Sequence, residues 1–172
     1  MARTAAKTPS KTTRATQALD RAGISYSLQV YDYDPDAQRI GLQAAEALGV
    51  APGRVLKTLM AAVDGRTVCL LVASDKEVAM KRVAAAFSGK AAGMLKPADA
   101  ERLTGYHVGG ISPLGQKKSF PTAVDAGSLT EPGAEIHVNG GGRGLQIRLA
   151  EGDLVAVLSA LVVPLTEPHR SG

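Results

Sequence analysis

Tryptophan is absent from this chain, and aromatic residues make up only 3% of its 172 positions. A sheet that reads single-stranded nucleic acid by stacking its bases needs exposed rings, so composition argues against that class. Cysteine occurs once, as Cys69, which rules out an internal disulfide and a multi-cysteine metal site. Its surroundings, Val68-Cys69-Leu70-Leu71-Val72, mark it as a buried structural thiol rather than a nucleophile. Histidine is scarce as well: His107, His137 and His169 are far apart and form no i, i+4 pair, so no metal site is expected. His137, within Ile136-His137-Val138, reads as an exposed strand residue. No apolar run approaches the ~18 residues of a membrane span, since Val155 to Leu165 is broken by Ser159 and Pro164. The basic N-terminus has no apolar stretch behind it, so no secretory signal is expected.

Acidic residues are missing before Asp20, whereas Arg3, Lys7, Lys11 and Arg14 all precede it. The chain has 20 basic and 16 acidic residues, so positions from 15 onward carry 16 of each and are formally neutral. Residues 1–14 read as a disordered basic tail of a cytoplasmic protein, in preference to a transit peptide. Such a tail can hold nucleic acid through its phosphates, and it is equally common as a solvated end.

What is present is an ordinary globular composition, 45% apolar and 21% charged, on a chain long enough for one substantial core. Residues 15–163 read as one domain and 164–172 as a C-terminal tail. Helical spacing runs over Thr12–Ala22 and stops at Gly23, and a strand pattern covers Ser25–Tyr33. A short helix spans Leu42–Leu48. Val55–Val63 and Thr67–Ala73 flank Asp64-Gly65-Arg66, a strong hairpin signal. Helices are expected at Lys76–Phe87, at Pro97–Leu103 with Pro at its first turn, and at Leu154–Leu161. Strands are expected at Thr122–Val124, Glu135–Val138 and Leu145–Leu149. A hairpin among interleaved helices and strands points to a single α+β domain rather than a purely parallel sheet.

Two glycine-rich segments carry the chemistry. Gly105 to Lys118 holds four glycines, Pro113, Tyr106 and two lysines between a helix and a strand. Gly110 to Ser119 comes near a phosphate-binding P-loop, but Gln116 stands where lysine must follow the second glycine and a strand follows instead of a helix. Gly140-Gly141-Gly142-Arg143-Gly144 lacks the context of a dinucleotide fingerprint. Glycine-rich backbone can still wrap an ester or phosphate with N–H donors. Ser112 lacks the Gly-x-Ser-x-Gly elbow of a serine nucleophile. Lys57 interrupts an otherwise apolar run; on pattern alone it is either a functional cation or a lysine on the outer face of a half-buried strand.

Tyr31-Asp32-Tyr33-Asp34-Pro35, Lys57-Thr58-Leu59, Thr104 to Lys118, Pro121-Thr122 with Asp125, and Gly140 to Leu145, in that order, resemble the YbaK/EbsC family of aminoacyl-tRNA deacylases. The likeness runs from about Ala18 to Leu161 and is closest to the Cys-tRNA(Pro) deacylases. It implies a curved mixed β-sheet, partly barrel-like, surrounded by helices. It implies Lys57 as the hallmark residue, with Tyr31 and Tyr106 as its catalytic companions lining the pocket. Thr58, Gly109, Gly110, Ile111, Ser112, Asn139, Gly140 and Gln146 are the implied substrate-binding positions. Where cysteine-specific relatives carry a small hydroxyl residue and an acid, this chain has Asn139 and Gln146.

The implied partners are the 3′ end of a mischarged tRNA and prolyl-tRNA synthetase, with no DNA, membrane, metal or cofactor. The implied reaction is attack of the cysteinyl thiol on its own ester carbonyl, which requires no protein nucleophile. Cys-tRNA(Cys) is a further implied substrate. Two alternatives stay open: a water-using deacylase of Ala- or Ser-tRNA, and a non-catalytic module that binds aminoacyl-tRNA.

Overall fold

A computed structural model of the chain describes residues 12–37 and 40–167. The hairpin signal is realised as β2 (Leu56–Val63) and β3 (Arg66–Ala73) in antiparallel register. Asp64 and Gly65 take φ values of 50° and 83°, the double positive-φ turn that matches strand twist. The Asp64 carboxylate accepts the Lys90 and Ala91 N–H groups at 3.0 Å each, which hold its carboxyl below the usual range. That contact ties the turn to β4 (Ala92–Met94), which pairs antiparallel with β2.

On the other side, β5 (Thr122–Asp125) lies parallel to β3, and β8 (Leu161–Val163) lies parallel to β5. The order of this five-stranded sheet is β4-β2-β3-β5-β8. Central β3 is buried from Val68 through Ala73, as a continuous apolar run covered on both faces should be. Cys69 lies in that run, and burial pushes its thiol up to about 12.

A second, three-stranded antiparallel sheet joins β1 (Ser27–Val30), β6 (Glu135–Asn139) and β7 (Leu145–Ala150) in the order β1-β7-β6. The main core fills the space between the sheets, with Leu56, Leu71 and Val124 facing Ile136, Val138, Ile147 and Leu149. Helix α1 (Arg14–Ala22) adds Leu19, and α5 (Glu151–Leu158) adds Leu154. The opposite face of the larger sheet packs Val63, Leu70 and Val72 against Val83 of α3 (Met80–Ala86) and against Leu165. Helix α2 (Ile40–Leu48) packs Ala44 and Ala45 on Val55 just before β2, and α4 (Pro97–Thr104) packs Ala100 with Met60 of β2 and Cys69 of β3. The architecture is a single mixed α+β domain, and its sheets do not close into a barrel.

The two sheets meet where Val55 bridges His137, and this corrects the reading of His137 as exposed. The side chain is buried at 4% exposure and its Nδ1 has no partner. Burial lowers its pKa, Arg148 and Arg54 press in the same direction, and Glu135 opposes them. Beside it, Arg54 is clamped between layers. It forms a short ion pair with Glu151 and donates to the Glu135 and Ser128 carbonyls at 2.8 and 3.3 Å. Glu151 also accepts the Thr130 N–H at 2.8 Å and the Thr130 hydroxyl at 3.1 Å.

Helix α1 begins with a capping box between Thr13 and Thr16 and ends at left-handed Gly23, the stop that its sequence signals. Elsewhere tertiary pairing overrides periodicity. The helix expected at Lys76–Phe87 is confined to α3, because Val78 bridges Thr166 and the Ala79 N–H donates to the Leu165 carbonyl at 2.8 Å. The last helix stops at Leu158, where Ser159 turns left-handed, and Leu161 onward becomes β8 instead. Of the expected tails, 1–11 and 168–172 lie outside the described residues. Thr13 caps α1, and Leu165 is fully buried.

Candidate active site

Leu56 belongs to the core, and Leu56, Lys57, Thr58 and Leu59 of β2 border a cavity of about 240 Å³ together with Tyr31, Val108, Gly109, Ile111 and Asn139. Val55, Leu59, Val108 and Ile111 make its wall largely apolar. Lys57 is the one charged side chain among the lining residues. Its Nζ lies 3.7 Å from Glu77 Oε1, but the Glu77 side chain is 94% exposed, so water screens that pair and it holds the ammonium weakly.

The structure brings Lys57, Tyr31, Thr58, Gly109, Ile111, Asn139 and Gln146 together around this cavity. Burial pushes the Tyr31 phenol above its ordinary value, with Tyr33 adding to the rise and Gln146 opposing it. Thr58 Oγ1 and Gln146 Oε1 are buried without a partner. Buried polar atoms are normally paired, so these two are unsatisfied groups on residues that line the cavity. Gly109 and Ile111 donate their N–H groups to no acceptor among the described residues.

Asn139 organises the rim. Its Oδ1 accepts the Gly141 and Gly142 N–H groups at 2.7 and 3.2 Å, while its Nδ2 donates to the Gly109 carbonyl at 3.1 Å. One side chain thus latches the two glycine segments to each other. Arg143 reinforces the joint by donating to the Val108 carbonyl at 2.9 Å and lying over the Tyr33 ring. Gly109 has φ +91°, and a Cβ there would stand 2.3 Å from the Tyr33 hydroxyl, so only glycine fits.

Four expected site residues are placed behind the cavity rather than on it. Tyr106 is 6% exposed and donates to the Leu114 carbonyl at 2.6 Å. Burial pushes its phenol up to about 12. Ser112 is fully buried and accepts the Leu114 N–H at 3.2 Å. Gly110 packs on the backbone of Gly142 and Arg143, and Gly140 packs on Leu145 and Ile147. Sequence reasoning missed Ala44, Ser74 and Val108, which also line the cavity. Ser74, which donates to the Val55 carbonyl at 2.6 Å, has no local signal. It comes to the site because it follows β3 at the level where Leu56 pairs with Ala73.

Residues 34–156 match the family described as the aminoacyl-tRNA editing domain. The chain is 30% identical over 165 residues to "Putative Cys-tRNA(Pro)/Cys-tRNA(Cys) deacylase EbsC" of Enterococcus faecalis, covering 94% of this chain and 98% of that protein. It is 31% identical over 87 residues to a proline–tRNA ligase of Acidithiobacillus ferrooxidans, a match covering 51% of this chain and 15% of the ligase. Among solved structures, "a putative trans-editing enzyme for prolyl tRNA synthetase" superposes with a TM-score of 0.75 at 24% identity. That match covers 90% of this chain and 96% of the other, and it shows that the fold is shared.

Proposed function

This chain belongs to the aminoacyl-tRNA editing domain family, and on that premise we propose that it deacylates mischarged tRNA in trans, with cysteine on tRNA(Pro) as principal substrate. The observation that carries the reading is a single ammonium, Lys57, held weakly at the edge of a small apolar cavity. Charge developing on an ester oxygen there would meet a cation and undirected backbone N–H groups in a medium that screens them little. In this scheme Gly109 and Ile111 supply the N–H donors, Asn139 fixes their segment, and Tyr31 with Val108 closes over the aminoacyl group.

The chemistry proposed is substrate-assisted. The cysteinyl Sγ attacks its own ester carbonyl, the Sγ–C bond closes a thiolactone, and the bond to the ribose oxygen breaks. The thiol proton ends on that ribose oxygen. The protein's share is orientation and stabilisation of the oxyanion. In keeping with this, Cys69 is sealed in the core with its thiol raised to about 12, and Ser112 is buried and engaged. Docking on prolyl-tRNA synthetase is part of the proposal, supported by the relatives' names.

The test is release of amino acid from Cys-tRNA(Pro), Ala-tRNA(Pro) and Ser-tRNA by wild type and Lys57→Ala, with and without the synthetase. Selective cysteine release that falls at least about 100-fold in the variant is expected, the scale of losing one oxyanion-stabilising group. Release of alanine or serine at comparable rates would replace the thiol mechanism with attack by water. Wild-type rates in Lys57→Ala would remove the central residue.

A further inference from the structure

The chain turns at His107–Gly110, where the Gly110 N–H donates to the His107 carbonyl at 2.8 Å. Gly109 takes φ +91° at the third position of that turn, while Val108 before it keeps a negative φ. This is the combination of a type II turn. A type I turn has the same ends and differs by a flip of its central peptide, here Val108–Gly109. Glycine at the third position tolerates either state, so the local sequence does not fix that peptide.

Contacts around the turn are unequal. The peptide His107–Val108 is tied at both ends, because its carbonyl accepts the Gly110 N–H and its Val108 N–H donates to Glu101 Oε2 at 2.8 Å. The peptide Gly109–Gly110 is tied likewise: its carbonyl accepts Asn139 Nδ2 at 3.1 Å, and its N–H closes the turn. The central peptide is tied at one end only. Its Val108 carbonyl accepts Arg143 Nε at 2.9 Å, and its Gly109 N–H has no acceptor among the described residues.

The carbonyl and N–H of a trans peptide lie on opposite sides, so holding the carbonyl also sets the direction of the N–H. A flip would exchange the two and leave a carbonyl dipole where the N–H had been. A hydrogen bond from a charged donor favours one of two such states by roughly ten- to a hundredfold. Arg143 is exposed, lies over the Tyr33 ring at 5.5 Å from its centroid and enters no ion pair among the described residues. Unlike Arg54, it joins no layers of the core.

We propose that Arg143 is a positioning residue for deacylation, holding the Val108–Gly109 peptide so that the Gly109 N–H is presented to the ester oxygen. This rests on the deacylase reading, in which that oxygen lies in the cavity that Gly109 borders. Arg143 acts through the backbone and touches no reacting atom. Its effect belongs to the transition state, where charge gathers on the oxygen, rather than to binding of the substrate.

The experiment compares wild type with Arg143→Met, which keeps the apolar stem, and Arg143→Lys, which keeps the charge but has no Nε–H. Cysteine release is followed from Cys-tRNA(Pro) and from 3′-cysteinyl-adenosine, an ester without phosphate. Losing an oxyanion donor outright costs about 100- to 1000-fold in kcat, and misdirecting one for part of the time costs less. Both variants should lose at least about tenfold in kcat on both esters, with KM within about twofold of wild type. The carbonyl-carbon resonance of Val108 and the amide-nitrogen resonance of Gly109 should shift or split in both variants. Those of Leu70 and Val72 in the larger sheet should stay in place.

A rise in KM confined to the tRNA and restored by lysine would make Arg143 a phosphate contact and overturn the proposal. Unchanged kcat in Arg143→Met would overturn it too, while active wild type keeps the deacylase reading intact. Wild type that releases cysteine from neither ester removes that reading instead. The resonances alone then decide whether Arg143 holds the peptide, and unchanged positions reject it.

Discussion

Arg54 and Lys57 stand three residues apart in the chain and are held in opposite ways. Arg54 is locked by Glu151 and by two backbone carbonyls, so its charge is spent on joining β6, α5 and the loop at Ser128. Lys57 has a solvated carboxylate 3.7 Å away and an apolar cavity beside it. A cation held by several partners between layers is a structural joint. One that is nearly unengaged beside a concave surface is poised for a ligand. The same contrast separates two tyrosines: Tyr106 spends its hydroxyl on Leu114, whereas Tyr31 faces the cavity.

The largest test of that contrast is Glu151→Ala, which strands a partly buried guanidinium. Removing one partner of a buried pair costs about 3–5 kcal/mol, which for a domain of this size lowers Tm by roughly 10 °C. Deacylation measured well below that Tm should change little. A melting shift of only a degree or two would mean that the clamp is not a joint. Lys57→Ala should mirror it, losing about 3 kcal/mol of transition-state stabilisation with Tm nearly unmoved. Calorimetry and kcat/KM on the same preparations decide whether the two cations separate in this way.

Asn139 belongs to both regimes, because it is a joint built into the site. Asn139→Ala removes three hydrogen bonds and should cost about 1–3 kcal/mol of stability together with about tenfold in kcat. Asn139→Asp keeps the acceptor for Gly141 and Gly142 but loses the donor to Gly109. It should recover stability without recovering kcat, and equal recovery of both would reduce Asn139 to a structural role. Tyr106→Phe should lose about 1 kcal/mol and leave the rate intact, whereas Tyr31→Phe should alter the rate. The smallest effect concerns His137. Its folded pKa lies below the ordinary value because it is buried between Arg54 and Arg148, so the unfolded chain takes up a proton first. Its contribution to stability is whole above about pH 6.5 and is lost as pH falls toward the lowered folded value. Urea midpoints across that window should slope less in His137→Gln than in wild type.

The hairpin, the Gly23 stop of α1 and the buried Cys69 were legible because each depends on neighbours in the chain. The β4 and β8 strands were not, since Ala92–Met94 and Leu161–Val163 are too short to show a period and form only by adding to an existing edge. At the site, Lys57, Tyr31, Gly109 and Asn139 stood out by motif. Ser74 and Ala44 carried no local mark, and Tyr106 and Ser112 carried a misleading one, because burial behind a loop and exposure on it leave the same letters.

By itself the sequence determined the chemistry at hand: one cation in an apolar run, glycine where only glycine fits, and all excess charge at one end. Those properties reside in residue types and short spacings. The tertiary structure alone decided which cation is spent and which is only weakly held. It also decided which tyrosine faces the cavity, and that Thr13 meets the glycine rim at Gly140. Each of these depends on a contact between residues far apart in the chain, and only packing of the two sheets brings such partners within reach.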